Sequence, residues 1–424
     1  MNKRLHLKTD LIILLLIVLT STLAFLDKFP VLWLLTKVPI GEYIVVCLFS
    51  WGGVLCCMAA CYNFAGLATV RFLLGVLEAG ILPCLMIVNS IWYTREEQPM
   101  RTAFWYNTFA GIFGGILSYA IGKMSAPLAT WKYIFLIYVA VTMGFGILLF
   151  FALPDSTSKA WFFTAEEKKA AVIRAAKNQT GVKTQQIWKL PQVLETLLDP
   201  KYYCVAIFVI AQSVTNAGIT NFNPLIIARY GFSAPKTTLM ATPQAAVTLV
   251  AQVICTATTF YIPNIRCLLW TLTCLPALAG AVMIHTLDIE AHRFASLAGV
   301  YLMGFYNVPW VLMLSLQSSN TAGMTNKSFV SVSIAVFYAL GNIIGPQFFR
   351  TDQAPHYLLG IGAMLCCFAI MAATGVVYWV LIVVDNKRRD AAYGIPGENA
   401  VTIGLKIDEQ DRTDRENKEF RYVC

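Results

Sequence analysis

Residues 63–93 read NFAGLATVRFLLGVLEAGILPCLMIVNSIWY. A bilayer is crossed by about 20 mostly apolar residues, and this stretch is long and apolar enough to do so. Arg71 and Glu78 nevertheless stand near its middle. Insertion scales put a charge at the centre of a spanning helix at roughly 2.5–3.5 kcal/mol. A span that keeps two of them is expected to use them. At about 100° per residue, positions 71, 75 and 78 share one helix face, so Gly75 lies between the charges. Seven residues at 1.5 Å rise separate them by roughly 10 Å along the axis. That is too far for a direct ion pair and suits two groups lining one cavity. A buried ion pair inside a helix bundle is the competing structural reading.

Composition agrees with a membrane setting. The chain has 424 residues, 58% of them hydrophobic and 13% charged, with a mean hydropathy of +0.64. Soluble domains carry about 25% charged residues. The net charge of +9 does not point to nucleic acid. Lys and Arg gather in loops and the tail, as internal loops of membrane proteins require. Eleven of the twelve Cys fall in or beside apolar runs, Cys424 being the exception. None has metal-ligand spacing with His6, His285, His292 or His356, so neither a disulfide framework nor a metal site is expected, and no cofactor. The Cys read as small packing residues.

Apolar runs place spans near 64–93, 102–123, 133–153, 202–228, 238–261, 265–285, 294–318, 328–349 and 357–385, after one at 41–61 and a first run at 11–25. Eleven spans imply an all-α polytopic membrane protein. The first run follows a basic leader, MNKRLHLKTD; a spanning helix is the preferred reading over a signal peptide cleaved after Thr22-Leu23-Ala24. The segment 154–201 divides the chain. It holds eight basic residues and a capping box, Thr164-Ala-Glu-Glu, opening an amphipathic helix from Glu166 to about Lys177. The domains expected are thus 1–153, a first membrane half; 154–201, a linker; 202–385, a second half; and 386–424, a tail. Basic residues in 94–101, in the linker and at Lys387-Arg388-Arg389 put these on the cytoplasmic side. Asn178 and Asn326 open glycosylation triplets that then face the wrong side for use. The basic leader conflicts with this scheme unless one more span stood between Lys28 and Lys37.

The halves echo one another. Residues 71–78 can be laid on 300–307, with Gly75 on Gly304, and Gly111/Gly115 on Gly341/Gly345. Such small-residue seams let helices pack closely. Two repeated halves around a basic linker is a secondary-transporter layout, with the site at mid-membrane.

Arg71-Phe-Leu-Leu-Gly75-Val-Leu-Glu78-Ala-Gly80 resembles the fourth-helix motif of the anion:cation symporters of the major facilitator superfamily. Four further stretches resemble its fungal allantoate permease branch: Asn178-Gln-Thr-Gly with Leu198-Asp-Pro-Lys, Asn216-Ala-Gly-Ile-Thr-Asn-Phe-Asn-Pro-Leu-Ile-Ile, Ser319-Asn-Thr-Ala-Gly, and Gly341-Asn-Ile-Ile-Gly-Pro-Gln-Phe-Phe. The resemblance implies a twelve-helix fold and proton-coupled uptake of a small organic anion such as allantoate, nicotinate, pantothenate or a sulfur-containing acid. It assigns Arg71 to the anion and Glu78 to the proton. One departure stands out. Family members have a loop and most of a second helix, roughly forty residues, between counterparts of Leu26-Asp27-Lys28 and Leu34-Leu-Thr-Lys-Val-Pro-Ile-Gly41. That block is absent here, which also explains the odd span count.

In this reading the substrate carboxylate docks on the planar guanidinium of Arg71. Low dielectric favours the neutral form of a carboxyl, so a group such as Glu78 can load a proton outside and release it inside. Asn216, Asn221, Asn223, Asn307 and Asn342 are candidate neutral donors, and Tyr306 and Tyr338 candidate cavity aromatics; for each Asn alone, gluing helix to helix is the competing role. The partners expected are the anion, protons and the lipid bilayer of the plasma membrane, with no nucleic acid, and the chain acts as a monomer. A degenerate paralogue, a mis-assigned coding segment or a nutrient sensor is the alternative. A membrane enzyme is excluded because the spans carry no Ser-His, intramembrane Asp or zincin constellation.

Overall fold

A computed structural model describes residues 40–78, 81–94, 96–105, 108–122, 130–154, 160–176, 189–228, 234–287, 292–350, 353, 357–394 and 412–424. The first apolar run at 11–25, the interval 28–37 and Asn178 lie outside them. Among the described residues every regular element is helical. Eight helices are long and apolar enough to cross a membrane, and Phe64–Leu77 and Ile112–Gly122 are shorter apolar helices. The chain is thus an all-α, multi-pass membrane protein.

The helices are α1 (Ile40–Ala59), α2 (Phe64–Glu78), α3 (Ile81–Trp92), α4 (Gln98–Trp105), α5 (Thr108–Gly122), α6 (Thr130–Ala152), α7 (Ala165–Ala176) and α8 (Leu190–Leu197). They continue with α9 (Pro200–Ala228), α10 (Ala234–Tyr261), α11 (Arg266–Thr286), α12 (Arg293–Leu302), α13 (Asn307–Asn320), α14 (Met324–Ile344) and α15 (Leu358–Tyr393). Two 3-10 turns, Met303–Tyr306 and Gly345–Phe348, complete the set.

These bounds sharpen the expectations. The stretch 64–93 forms α2 and α3, on either side of residues 79–80, which are not described. The span expected at 294–318 is interrupted by a 3-10 turn at its middle. The last helix runs beyond 385 to Tyr393. Hydropathy marks where lipid ends, but Asp-Asn-Lys-Arg-Arg-Asp-Ala-Ala still favours helix, and the helix stops only at Gly394, whose φ of 78° suits glycine. The linker helix starts as its capping box dictates: Thr164 N donates to Glu167 Oε2 at 2.8 Å and Glu167 N to Thr164 Oγ1 at 3.4 Å. The Thr164 N–H and the Thr164 hydroxyl, both donating to Glu167 Oε2, hold that carboxyl below the usual carboxylate range.

Packing divides the described residues into two compact units: α1, α2, the start of α3 and α6 in one, and the remaining helices with 412–424 in the other. In packing, residues 86–125 therefore go with the second unit.

In the first unit α1 lies along α6 and α2. A Cβ at Gly52 would stand 2.7 Å from Met143 Cγ, so glycine there permits the α1–α6 approach. The core gathers Met58, Val70 and Leu74, with Trp51, Val54 and Phe135 against it. The outer face of α6, including Val141, Phe145, Leu148 and Phe151, is exposed and apolar. Such a surface belongs in lipid.

In the second unit α9 packs on α14 and α15, and α11 on α15 and α12. Trp270 is fully buried among Phe208 and Tyr378, with ring centroids at 4.4 and 5.7 Å. Its indole N–H donates to the Met371 carbonyl at 3.1 Å, as a buried Trp requires.

Candidate functional site

The seam between α9 and α14 builds the polar centre of the second unit. A Cβ on Gly341 would stand 2.5 Å from the Ile210 carbonyl, and one on Gly345 2.8 Å from Ala217 Cβ. Glycine at both positions lets the two backbones nearly touch. The Gly341/Gly345 seam read from sequence is thus a real helix contact. It carries Asn342 and, one turn earlier, Tyr338 against α9.

Asn216 on α9 is the hub. Its Nδ2 donates to Tyr338 Oη at 3.1 Å and to Asn342 Oδ1 at 3.2 Å. Its Oδ1 accepts from Tyr306 Oη at 2.9 Å. Asn342 Nδ2 donates in turn to the Tyr338 carbonyl at 2.9 Å. Four of the expected site residues, Asn216, Tyr306, Tyr338 and Asn342, are therefore one network on three elements. Asn216, Tyr338 and Asn342 are half-buried, so the network is not sealed into the core. Trp310 backs it, its ring 5.6 Å from that of Tyr338.

Tyr306 reaches the hub because the helix is interrupted before it. Gly304 sits in the 3-10 turn, where a Cβ would meet Thr248 Oγ1 at 2.8 Å and the Gln244 carbonyl at 2.9 Å. The Thr248 hydroxyl lies 2.9 Å from the Gly304 carbonyl and 2.9 Å from that of Gln244, stitching the turn to α10. Gln252, one turn on, donates to the Asn307 carbonyl at 3.4 Å. Asn307 is thus held through its backbone, and its side chain faces Tyr306 rather than Asn216. Asn221, also expected as a donor, spends its amide on the Ala217 carbonyl at 2.9 Å. The side chain of Asn223 lies outside the described residues.

Arg71 belongs to the first unit. Val70 and Leu74 turn the core face of α2 inward. Arg71 and Gly75 lie on another face, both exposed, and nothing stands within 4 Å of a Cβ at Gly75. Among the described residues Arg71 has no hydrogen-bond or ion-pair partner. Glu78 forms the last residue of α2, and its side chain lies outside the description.

Sequence reading passed over Gln212, Thr248 and Gln252, all buried in apolar spans. A Gln inside a span was the available signal, since it is expensive there. Gln212 lies one turn before Asn216, and neither of its amide atoms has a partner among the described residues. Leaving such a group unsatisfied costs about 1–3 kcal/mol. The described residues contain no cluster of His, Cys, Asp and Glu able to hold a metal. The Asn326 triplet also has a structural use: Thr196 Oγ1 donates to Asn326 Oδ1 at 2.6 Å, and the side chain is buried.

Residues 3–346 match the family described as the Major Facilitator Superfamily. The chain is 35% identical to an uncharacterised transporter of Schizosaccharomyces pombe, over 93% of this chain and 75% of that protein. It is 30% identical to the allantoate permease of Saccharomyces cerevisiae, over 94% of this chain and 75% of the permease. Among solved structures, a proton:xylose symporter superposes with a TM-score of 0.64 at 13% identity, covering 87% of this chain and 85% of that one. At that identity the likeness speaks for the fold.

Proposed function

The chain belongs to the major facilitator superfamily, and from that premise we propose that it is a proton-coupled importer of a small organic anion, of the anion:cation symporter type. The substrate class is a carboxylate or sulfonate like those of the allantoate permease branch. Arg71 holds the anion and Glu78 carries the proton. Asn216, Tyr306, Tyr338, Asn307 and Asn342 supply neutral contacts in the second half, with the hub at Asn216. The carrier works as a monomer in the plasma membrane, with linker and tail in the cytoplasm.

The observation that carries this reading is Arg71. A guanidinium in an apolar helix normally finds a partner or faces water. Here the core face of α2 is elsewhere, and the cation stands exposed beside the open Gly75. A free planar fork of donors matches a carboxylate in two parallel hydrogen bonds. The neutral network supports the reading, because amide and phenol groups select polar solutes without adding charge.

The test is uptake of labelled allantoate and a panel of small carboxylates by cells expressing the chain, from medium at pH 5 and at pH 7. Uptake is expected to be faster from acid medium, and Glu78→Gln to flatten that difference while exchange continues. If Glu78→Gln keeps the full dependence on acid medium, Glu78 is not the coupling group. If no carboxylate is taken up, the carrier reading gives way to the degenerate paralogue.

A further inference from the structure

Residues 412–424 lie against the end of the second unit that carries the linker. The segment opens as a capped turn: Thr413 N donates to Glu416 Oε2 at 3.1 Å, and Glu416 N to Thr413 Oγ1 at 3.2 Å. The Thr413 hydroxyl, fully buried, donates to Glu195 Oε1 of α8 at 2.9 Å. Arg389 near the end of α15 then collects three carbonyls of the turn on one nitrogen, Asp414, Asn417 and Phe420, at 2.9, 3.0 and 3.2 Å.

The aromatic anchors follow. Phe420 is fully buried and Tyr422 nearly so. Lys201 Nζ stands 4.0 Å from the Tyr422 ring centroid and Arg389 Cζ 5.0 Å, so two cations face one ring. The Tyr422 hydroxyl donates to the Asp414 carboxylate, closing the turn on itself.

The end of the segment is held by its backbone. Asn386 donates to the Tyr422 carbonyl at 2.8 Å and accepts from its N–H at 2.9 Å. Asn320 does the same for Val423, at 2.8 Å both ways. Arg266 N donates to the Cys424 carbonyl at 2.8 Å. Two Asn side chains thus each take up both backbone groups of one residue, as a neighbouring strand would. Such contacts recognise a peptide in one register. They come from α8, α11, α13 and α15, with Lys201 on α9, so one short segment touches the ends of five helices.

We propose that this end of the second unit is a peptide-docking site, that residues 412–424 are its ligand within the same chain, and that docking latches α8, the last part of the linker, to the helix ends. The contacts are of a kind that can be made and unmade. They are mostly side chain to backbone, along one short segment, with residues 395–411 between it and Gly394 at the end of α15. Segments held this way open at lower free energy than the packed spans.

Thr413→Asp separates ligand from site. Asp caps a turn as well as Thr does, but it sets a second carboxylate against Glu195, and the groove residues stay unchanged. The experiment uses the full chain in lipid nanodiscs. Hydrogen exchange of 412–424 is expected to be about 100-fold slower than in the free peptide. In Thr413→Asp that protection is lost, together with part of the protection at 190–199, while 266–286 and 358–385 keep theirs. A fluorescent peptide of sequence 412–424 then binds Thr413→Asp, does not bind the unaltered chain, and loses binding when Asn320→Ala is added. The docking site is refuted by a tail that exchanges as a free peptide in the unaltered chain, by one that stays protected in Thr413→Asp, or by a released variant that fails to bind the peptide. Unchanged exchange at 190–199 on release removes the latch.

Discussion

Residues 71–78 and 300–307 are counterparts in the internal echo, and their surroundings could hardly differ more. On α2, Arg71 and Gly75 are exposed and a Cβ at Gly75 has no neighbour. At the counterpart, Val300, Gly304 and Tyr306 are buried, Gly304 presses on α10, and the helix tightens into a 3-10 turn. One segment presents a charge into open space. The other uses its glycine for packing and its polar group to complete a network. Two segments that echo one another in sequence can therefore pack in opposite ways. The first carries the ionisable residues Arg71 and Glu78, and the second carries Val300 and Asn307 at those positions.

The sharpest way to break that division is to remove the charge. Arg71→Ala is expected to lower carboxylate uptake by about 100-fold, since hydrogen bonds to charged groups contribute about 1.5–3 kcal/mol each and two are lost. Membrane delivery stays intact because the residue is exposed and lies off the core face of α2. Normal uptake by the variant would mean that the anion is held elsewhere.

The glycines come next. Gly304→Ala forces a methyl group into contact with Thr248 and the Gln244 carbonyl and is expected to destabilise the protein by about 1–3 kcal/mol. Gly75→Ala meets nothing and gains about 0.5–1 kcal/mol from helix propensity. Thermal unfolding in detergent should move in opposite directions for the two. Equal shifts would erase the contrast in packing.

Gln212→Leu sharpens the neutral side of the comparison. It removes two unpartnered polar atoms in a buried position, so thermal stability should rise by about 1 kcal/mol. Substrate affinity measured as KM tells whether the amide is used: a rise in KM at unchanged delivery makes Gln212 part of the site, and an unchanged KM makes it structural.

The smallest effect concerns pH. In the second unit burial raises the carboxyls of Asp414 and Glu195 above their ordinary range. Asp199, Lys201, Arg415 and Glu416 also face one or the other. A raised carboxyl binds its proton more tightly in the docked tail than in the released one. The docked state gains its full benefit below an ordinary carboxylate pKa of about 4 and loses it as pH rises through the raised values. Exchange at 412–424, corrected for intrinsic rate, should therefore be slower at pH 5 than at pH 7.5. The reverse order would show that charge, and not burial, governs the docking.

Composition and the runs of about 20 apolar residues were enough to make this an all-α membrane protein, because lipid leaves a backbone no other partners than its own. The Arg-x-x-x-Gly-x-x-Glu spacing picked out the candidate face, because a charge in a span is expensive. The capping box at Thr164 and the seam at Gly341/Gly345 were legible for the same reason: each follows from chemistry a few residues long. Tertiary structure alone decided the rest. That Asn216 draws in Tyr306, Tyr338 and Asn342, but not Asn307, depends on how closely α9 and α14 approach and on a four-residue 3-10 turn. That Arg389 and Asn386 of α15 and Asn320 of α13 hold the tail depends on two helix ends meeting at one place. Local sequence encodes periodicity and the cost of charge. It does not encode which distant side chain fills an open hydrogen bond.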